Sequence, residues 1–592
     1  MLRGPGELLF TTGGKGETGA PVTEGRRAGF DEGKVSRSSR SRETLVLLAM
    51  WAVVAAFELS KAVHIDDTAY LEVARAILAH PLHPMSQLLN WGESATPIHK
   101  QNMPHLLLYL MAAVMKAAPG HFELALHVVW ALFSGLAIAT FHALARAVEA
   151  PRPLIWTAIF CLGPAFIPSQ NLMLDVPLLA VWMAFFCALA QEDGGGLMAA
   201  AVLAAVACLI KYPSLVLLPI LSLAIVRRRG AGRGGLGELS LLLIPLGALA
   251  GWSLFNWFDY GGIHILERPI ATGAALGLGR RLAGLVSRGM LWVVALGAIT
   301  PFSVAFVGPL GASRTGRRLL VVAATIAVVT SFIGHAALSA EPVAQSILRG
   351  LFLGNGVLVV GLTARGWRGR DDPNSTAASR RPSPGWFLGI WVMGAALFIV
   401  VLSPFMAVRH VLLALPAVLL LIARGPDAVR LSRRGLIVGV GLTAISGILL
   451  AASDARLAEL NRRRVPELVA QFCHDGARCV SVGHWGWQWY TDKAGLPTYD
   501  RERTNLQPGD RVIASQLMGK EAMAPRDDAR LHLIAEIDEP ATPLTWMRSL
   551  ATEKSGAQGN RSGGFYYFWT SVPWTVTTRP LDRFLVYEVV SP

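Results

Sequence analysis

Between residues 44 and 452 the chain repeats one pattern, an apolar run followed by a short polar break. Most runs approach the roughly 20 residues that an α-helix needs to cross a ~30 Å hydrocarbon core. In hydrocarbon every backbone N–H and C=O must be paired inside the protein, so such runs fold as helices. Composition agrees: 53% of the 592 residues are hydrophobic and only 16% are charged, against about 25% charged in soluble domains. So few charges could not cover a water-soluble surface of this size, and they equally exclude a disordered scaffold. A polytopic membrane protein is the class that remains.

The net charge of +14 comes from arginines set between the apolar runs. They cluster at Arg26, Arg27 and the group from Arg37 to Arg42, then at Arg227–Arg229 with Arg233. Further clusters are Arg314, Arg317 and Arg318, the group from Arg365 to Arg381, and Arg424 to Arg434. That spacing is the positive-inside signature, in which basic loops stay cytoplasmic. It accounts for the charge without a basic stripe for nucleic acid, so no nucleic-acid partner is expected.

Residues 1–43 read as a disordered, basic, cytoplasmic N-terminus with no apolar core of a cleavable signal. The first span, 44–62, then acts as an uncleaved anchor. The other spans are read at 124–146, 154–171, 176–190, 195–210, 213–226, 237–256, 288–308, 319–337, 345–363, 386–402, 406–423 and 435–452, thirteen in all. The apolar segment 105–118, about 14 residues, is short for a span and is read as interfacial or re-entrant because that puts every later basic loop on one side. If it crosses fully instead, Arg227–Arg233 faces outward unless another short run fails to cross. The segment closes a first outer loop, 63–118, whose residues 68–79 have a helical face of Tyr70, Leu71, Ala74, Ile77 and Leu78. An odd span count puts residues 453–592 outside. There the runs Arg478–Val482, Arg511–Ser515, Leu531–Ile537 and Phe584–Val590 alternate with turn signals, which predicts a soluble exoplasmic or periplasmic α/β domain. Cys473 and Cys479 lie in it, where a short-loop disulfide is possible. The expected setting is the cell membrane, multi-pass, with the N-terminus cytoplasmic.

Charges at span ends stand out, because burying them in lipid is costly and usually functional. Asp66 and Asp67 follow the first span in His64-Ile65-Asp66-Asp67-Thr68-Ala69-Tyr70. Asp175 lies between two apolar runs in Asp175-Val176-Pro177-Leu178. Either acid could simply cap a helix. Lys211, the lone charge between two short spans, could pair with a carboxylate or an anionic ligand, or snorkel. Arg409 leads a late span in Ala407-Val408-Arg409-His410; its planar fork suits phosphate, and snorkelling to headgroups is its bland alternative. His80, His83 and His99 of the outer loop could ligate a metal, though none has the i, i+4 spacing of a zinc helix. Trp485, Trp487, Trp489 and Tyr490 of the C-terminal region read as core or glycan-binding aromatics.

In order and position these motifs resemble GT-C-fold glycosyltransferases of the protein O-mannosyltransferase and aminoarabinose-transferase type. The resemblance covers residues 44–191 and 404–421. The family's Asp-Glu-x-x-Tyr is similar to Asp66-Asp67-Thr68-Ala69-Tyr70, with Asp as the second acid. Its Asn-x-Pro-(Pro)-Leu resembles Asn102-Met103-Pro104-His105-Leu106, and its Asp-x-Pro-Leu matches Asp175-Val176-Pro177-Leu178. Its Arg-Tyr before a Leu-rich, Pro-containing helix resembles Arg409-His410 with Leu415-Pro416.

The resemblance implies a GT-C-like catalytic domain within 44–452 that transfers a sugar, with inversion, from a polyprenyl-phosphate donor in the bilayer. The acceptor is a protein, lipid or polysaccharide on the exoplasmic face. Asp66 is the expected catalytic base. Asp67, Tyr70, Asn102, Asp175, Lys211, Arg409 and His410 are the expected substrate-binding residues, with Arg409 and Lys211 compensating the departing phosphate. A divalent cation is an open question, with Asp67, His99 and Asp175 as its candidate ligands. The alternatives are a transporter or lipid-linked-sugar flippase, and a membrane-anchored binding module. A transporter places charges near mid-membrane, often within internal repeats; here they sit at span ends, and no repeat is seen.

Overall fold

The computed structural model describes residues 37–101, 103–268, 278–337, 343–368, 385–403, 406–474, 476–518, 523–552, 561–562, 564–566 and 572–591. The chain divides into two units, Met1–Leu45 and Val46–Pro592. In the first, the described part is the beginning of the helix Arg37–Ser60. Everything below concerns the second.

Among the described residues seven helices are long and apolar enough to cross a membrane: Ser41–Ser60, Phe122–Ala147, Gly237–Tyr260, Gly279–Ala298, Arg314–Ile333, Val343–Arg368 and Arg433–Phe472. Six shorter apolar helices join them, Leu106–Ala117, Asp175–Leu189, Gly194–Ile210, Pro301–Gly311, Trp386–Leu402 and Leu415–Arg424. The many-span helical architecture is the one the sequence implies, with shorter rods at several places. The run 154–171 is helical only over Pro153–Cys161, since Pro164 and Pro168 lack the N–H that would continue the ladder. The run 406–423 divides into Val408–Val411 and Leu415–Arg424. Helices pack closely where side chains vanish. A Cβ at Gly297 would strike the Phe352 carbonyl, and one at Gly356 the Val293 carbonyl, so only glycine admits this crossing.

The helix Leu106–Ala117 has 12 residues and so rises ~18 Å, too little to cross. The last long helix is the opposite case. Arg433–Phe472 has 40 residues, ~60 Å or twice the hydrocarbon thickness, so half of it stands clear of the membrane. Ser432 caps its start by accepting from the Gly435 N–H at 3.0 Å. Residues 453–472, assigned by sequence to the soluble domain, therefore continue the final span as a rigid stalk.

Beyond the stalk a four-stranded sheet forms from the runs expected of it. Its strands lie in the order Cys479–Val482, Arg511–Ser515, Asp582–Val589, Leu531–Glu539. The first two are parallel and the other neighbours antiparallel. Cys473 and Cys479 are disulfide-bonded, closing the turn from stalk to first strand. Trp487 and Trp489 are buried, and Trp487 stacks on Phe584 with centroids 5.4 Å apart, so both belong to the core.

The outer loop is the cradle for this sheet region. The helix Asp67–Ala79 buries Tyr70, Leu71, Ala74 and Ile77 as expected, whereas Leu78, placed on the same face by its spacing, is exposed. Thr68 Oγ1 donates to the Trp485 carbonyl at 2.7 Å, and the Val63 N–H donates to the Tyr490 hydroxyl at 3.0 Å. A hairpin of Leu88–Asn90 and Ala95–Pro97 meets Asp500, whose carboxylate accepts from the Ala95 N–H at 2.9 Å. The end of the first span, the outer loop and the C-terminal region therefore share one face of the bundle.

Candidate active site

The site begins where the first span ends. Ile65, buried, turns the chain with φ of +48°, a left-handed conformation that costs a β-branched residue of order 1–3 kcal/mol. That turn aims Asp66 and Asp67 in different directions. Asp66 occupies the N-cap position of the helix Asp67–Ala79, yet its side chain makes no capping bond. Its Oδ2 instead accepts from Arg409 Nη1 at 2.8 Å, and 20% of its side chain remains open. Asp67 points inward. Its Oδ2 accepts from the His64 N–H at 3.0 Å, and its Oδ1 is buried with no hydrogen-bond partner among the described residues. Burial therefore drives its carboxyl well above the usual carboxylate range. Two adjacent acids thus occupy opposite environments, one ion-paired at an open edge and one buried beneath it, where loss of solvent raises its carboxyl.

Arg409 lies in the four-residue helix Val408–Val411, fixed by the Val408 N–H donating to the Phe565 carbonyl at 3.0 Å. The same Nη1 that binds Asp66 lies 3.8 Å from Asp175 Oδ2 and 3.4 Å from Met173 Sδ. Asp175 begins the helix Asp175–Leu189 without capping it, since the N-cap is Leu174. Its Oδ1 accepts from Lys211 Nζ at 2.8 Å. Lys211 stands in extended conformation where the helix Gly194–Ile210 stops, so it pairs rather than snorkels. The result is a charge-balanced chain, Asp66–Arg409–Asp175–Lys211, gathered from four separate elements. Tyr70 is buried within the electrostatic reach of Asp66, Arg409 and Asp175, and His410 within that of Asp175.

Asn102 lies outside the described residues. His99 is not with the acids: its ring stacks on Tyr260 at 4.3 Å and its Nδ1 lies 3.6 Å from Glu267. Asp67 and Asp175 are each engaged as described above. Among the described residues no group of three or more His, Cys, Asp or Glu is placed to hold a metal ion, so the three candidate ligands do not form a metal site in this arrangement.

A second buried network, unforeseen in the sequence, supports the turn from below. Asp454, on the stalk just past the last span, accepts from Lys61 Nζ at 2.6 Å and from the Tyr566 hydroxyl at 2.6 Å through Oδ2. Its Oδ1 accepts from Ser549 at 2.5 Å and lies 3.3 Å from His64 Nε2. Lys61 also donates to the Pro168 carbonyl at 3.1 Å, and the Tyr566 hydroxyl, its one proton given to Asp454, lies 3.1 Å from the same carbonyl. His64 meets the Tyr566 ring edge-on, and burial lowers the proton affinity of its imidazole. One carboxylate thus ties the first span's end, the loop before Asp175, the stalk and the C-terminal region together. The available signal was a charge at the end of an apolar run, Lys61 in the last residues of the first and Asp454 just past the last.

No family model and no curated protein matches the chain. Among solved structures it is similar to ArnT from Cupriavidus metallidurans bound to undecaprenyl phosphate, at 14% identity over 84% of this chain and 96% of that one, with a TM-score of 0.37. It is similar to the apo state of the same protein at 14% identity, over 94% and 99% of the two chains, with a TM-score of 0.35. The arabinofuranosyltransferase AftD from Mycobacteria is similar at 11% identity over 92% of this chain and 40% of that one, with a TM-score of 0.35.

Proposed function

We propose that the chain is a GT-C-type membrane glycosyltransferase that moves a sugar from a polyprenyl-phosphate donor to a nucleophilic acceptor on the exoplasmic face. The observation that carries this reading is the 2.8 Å contact of Asp66 with Arg409, a base and an anion-binding fork meeting at a span end. In this reading the donor's phosphate takes Arg409 as its partner, which frees the Asp66 carboxylate for the acceptor's proton. The acceptor oxygen then bonds to the anomeric carbon from the face opposite the phosphate. The bond from that carbon to the phosphate oxygen breaks, the leaving phosphate keeps the electron pair, and the configuration inverts. Lys211, through Asp175, holds the second carboxylate so that Arg409 need not compensate both acids. Tyr70, His410 and Asn102 are assigned to the walls of the substrate site, and Asp67 to holding the turn beneath Asp66.

The proposed catalytic domain lies within residues 44–452 and the exoplasmic α/β region within 453–592, with residues 1–43 cytoplasmic. Support for this sidedness comes from the basic loops, assigned to one side apart from the outer loop that carries Arg268, Arg280 and Arg281, and from the C-terminal region seated on the first outer loop. The reading is tested by incubating the purified protein in nanodiscs with a panel of polyprenyl-phosphate sugars and candidate acceptors. Mass spectrometry should detect sugar transfer and free polyprenyl phosphate from at least one donor, with the anomeric configuration opposite to the donor's. Retention of configuration would exclude the single displacement.

A further inference from the structure

We infer that the protein binds an anionic glycerophospholipid in a basic pocket at the end of the bundle opposite the candidate active site. A cavity of about 310 Å³ lies between the end of the helix Asp175–Leu189, the start of Gly194–Ile210, the end of Leu217–Gly230 and the start of Trp386–Leu402. The first two of these helices have their other ends at the site. Asp175 begins the first, Lys211 follows the second and precedes the third, and the fourth leads toward Arg409. With 15 residues in the first helix, the cavity lies ~21 Å along the bundle from Asp175.

The lining has two chemistries. Leu197 and Phe387 are buried and make an apolar wall, continued by the Trp386 ring. Arg227, Arg228 and Arg233 make the rim together with the acids Glu192 and Asp193, the latter held to its own helix by accepting from the Gly196 N–H at 2.6 Å. Arg228 is compensated by Glu238 at 3.1 Å, and Arg233 by Glu192 at 2.9 Å. Arg227 differs: its guanidinium lies over the Trp386 ring, 4.6 Å from the centroid, and among the described residues it has no carboxylate partner. A fork-shaped cation left uncompensated beside an apolar wall fits a molecule with a phosphodiester head and a hydrocarbon tail. Inorganic phosphate would leave the wall wet, and a zwitterionic headgroup would bring a second cation to Arg227. The charge-run rule places this end of the bundle in the cytoplasmic leaflet, where anionic lipids supply the complementary charge.

The test uses the full chain in nanodiscs of mixed phosphatidylcholine and phosphatidylglycerol, with native mass spectrometry reading the lipids that stay bound. Phosphatidylglycerol should be retained over phosphatidylcholine, and Arg227→Gln should lower that retention about fivefold. Arg314→Gln, which removes a cation from another basic loop, should leave it unchanged. Arg227 lies on the exposed rim, and Arg227→Lys, which keeps the charge, should retain most of the lipid. Equal retention of both lipids, an undiminished signal in Arg227→Gln, or an equal loss in Arg314→Gln would overturn the assignment. Displacement of the lipid by inorganic phosphate would overturn it too, because the site would then read a free anion.

Discussion

Arg409 donates to Asp66 across 2.8 Å although 343 residues separate them in the chain. The guanidinium is buried and reaches Asp175 as well, at 3.8 Å. Neither acid spends its side chain on the helix that it begins, so both are left for a cation. This arrangement puts a partly open carboxylate, a buried guanidinium and a second, lysine-paired carboxylate within one neighbourhood at the end of the first span.

Asp66→Asn keeps the size of the side chain and removes its ability to take a proton. Sugar transfer should fall by about 10²- to 10⁴-fold, the usual contribution of a general base. Donor binding, measured by retention of polyprenyl phosphate in native mass spectrometry, should persist, and the melting temperature should move little. Near-normal turnover in this variant would remove Asp66 from the mechanism.

Arg409→Ala leaves Asp66 and Asp175 without their shared cation. Because the site is buried, stability should drop by about 3–5 kcal/mol, read as a lower melting temperature. Arg409→Lys should restore much of the stability but not donor use, since an ammonium cannot present two parallel N–H groups. Kinetically, the donor KM should rise more than the acceptor KM. The reverse pattern would place Arg409 on the acceptor side.

The Lys61–Asp454 pair at 2.6 Å separates positioning from chemistry. Asp454→Ala strands Lys61 in a buried setting and should destabilise the protein by about 3–5 kcal/mol. The double change Lys61→Met with Asp454→Leu removes both charges and should recover part of that loss. Thermal unfolding of the two single variants and the double variant measures the coupling; additive losses would show that the two groups act independently.

Cys473 and Cys479 enclose a short loop, with a separation of six residues. Chain entropy gives such a bridge about 2 kcal/mol, so Cys473→Ser should lower the melting temperature of the C-terminal region modestly. In intact cells an impermeant thiol reagent should label Cys473 from outside only after reduction. Labelling that requires permeabilisation would invert the proposed sidedness.

Asp582 provides a pH test away from the site. Burial pushes its carboxyl up to about 6 from 3.8, against the hydrogen bonds that it accepts from Ser515 and the Leu517 N–H. A carboxyl raised on folding binds its proton more tightly in the native state, so stability falls as pH rises between those two values. The stabilising effect is complete below about 3.8 and has gone above about 6, a difference of roughly 3 kcal/mol. Comparing the wild type with Asp582→Asn from pH 4 to 7.5 should show a steeper fall in the wild type, the remainder coming from other raised carboxyls such as Asp492. Parallel profiles would contradict the assigned cause.

Much of the scaffold is legible in the chain because it follows from local rules. Apolar runs near the length of a bilayer, with arginines between them, dictate a many-helix membrane protein whatever its later packing. Strand-like runs set between turn signals marked all four strands of the C-terminal sheet, and most of the buried face of Asp67–Ala79 follows from helical period. Span lengths were less legible: whether a proline-containing run such as 154–171 crosses whole depends on which neighbours satisfy its freed carbonyls. The stalk was missed because residues 453–472 are polar in sequence yet continue a helix already nucleated in the span before them.

The amino-acid sequence by itself determined the membrane class, the strand set and the charged residues that had to be explained, since each follows from burial cost and periodicity along the chain. Only the tertiary structure decided which charge meets which. Asp66 chooses Arg409 over capping its own helix, Lys211 chooses Asp175 over the lipid headgroups, and Asp454 gathers Lys61, His64 and Tyr566. Those choices are set by packing between distant segments, because an ion pair depends on separation in space and segment order does not encode it.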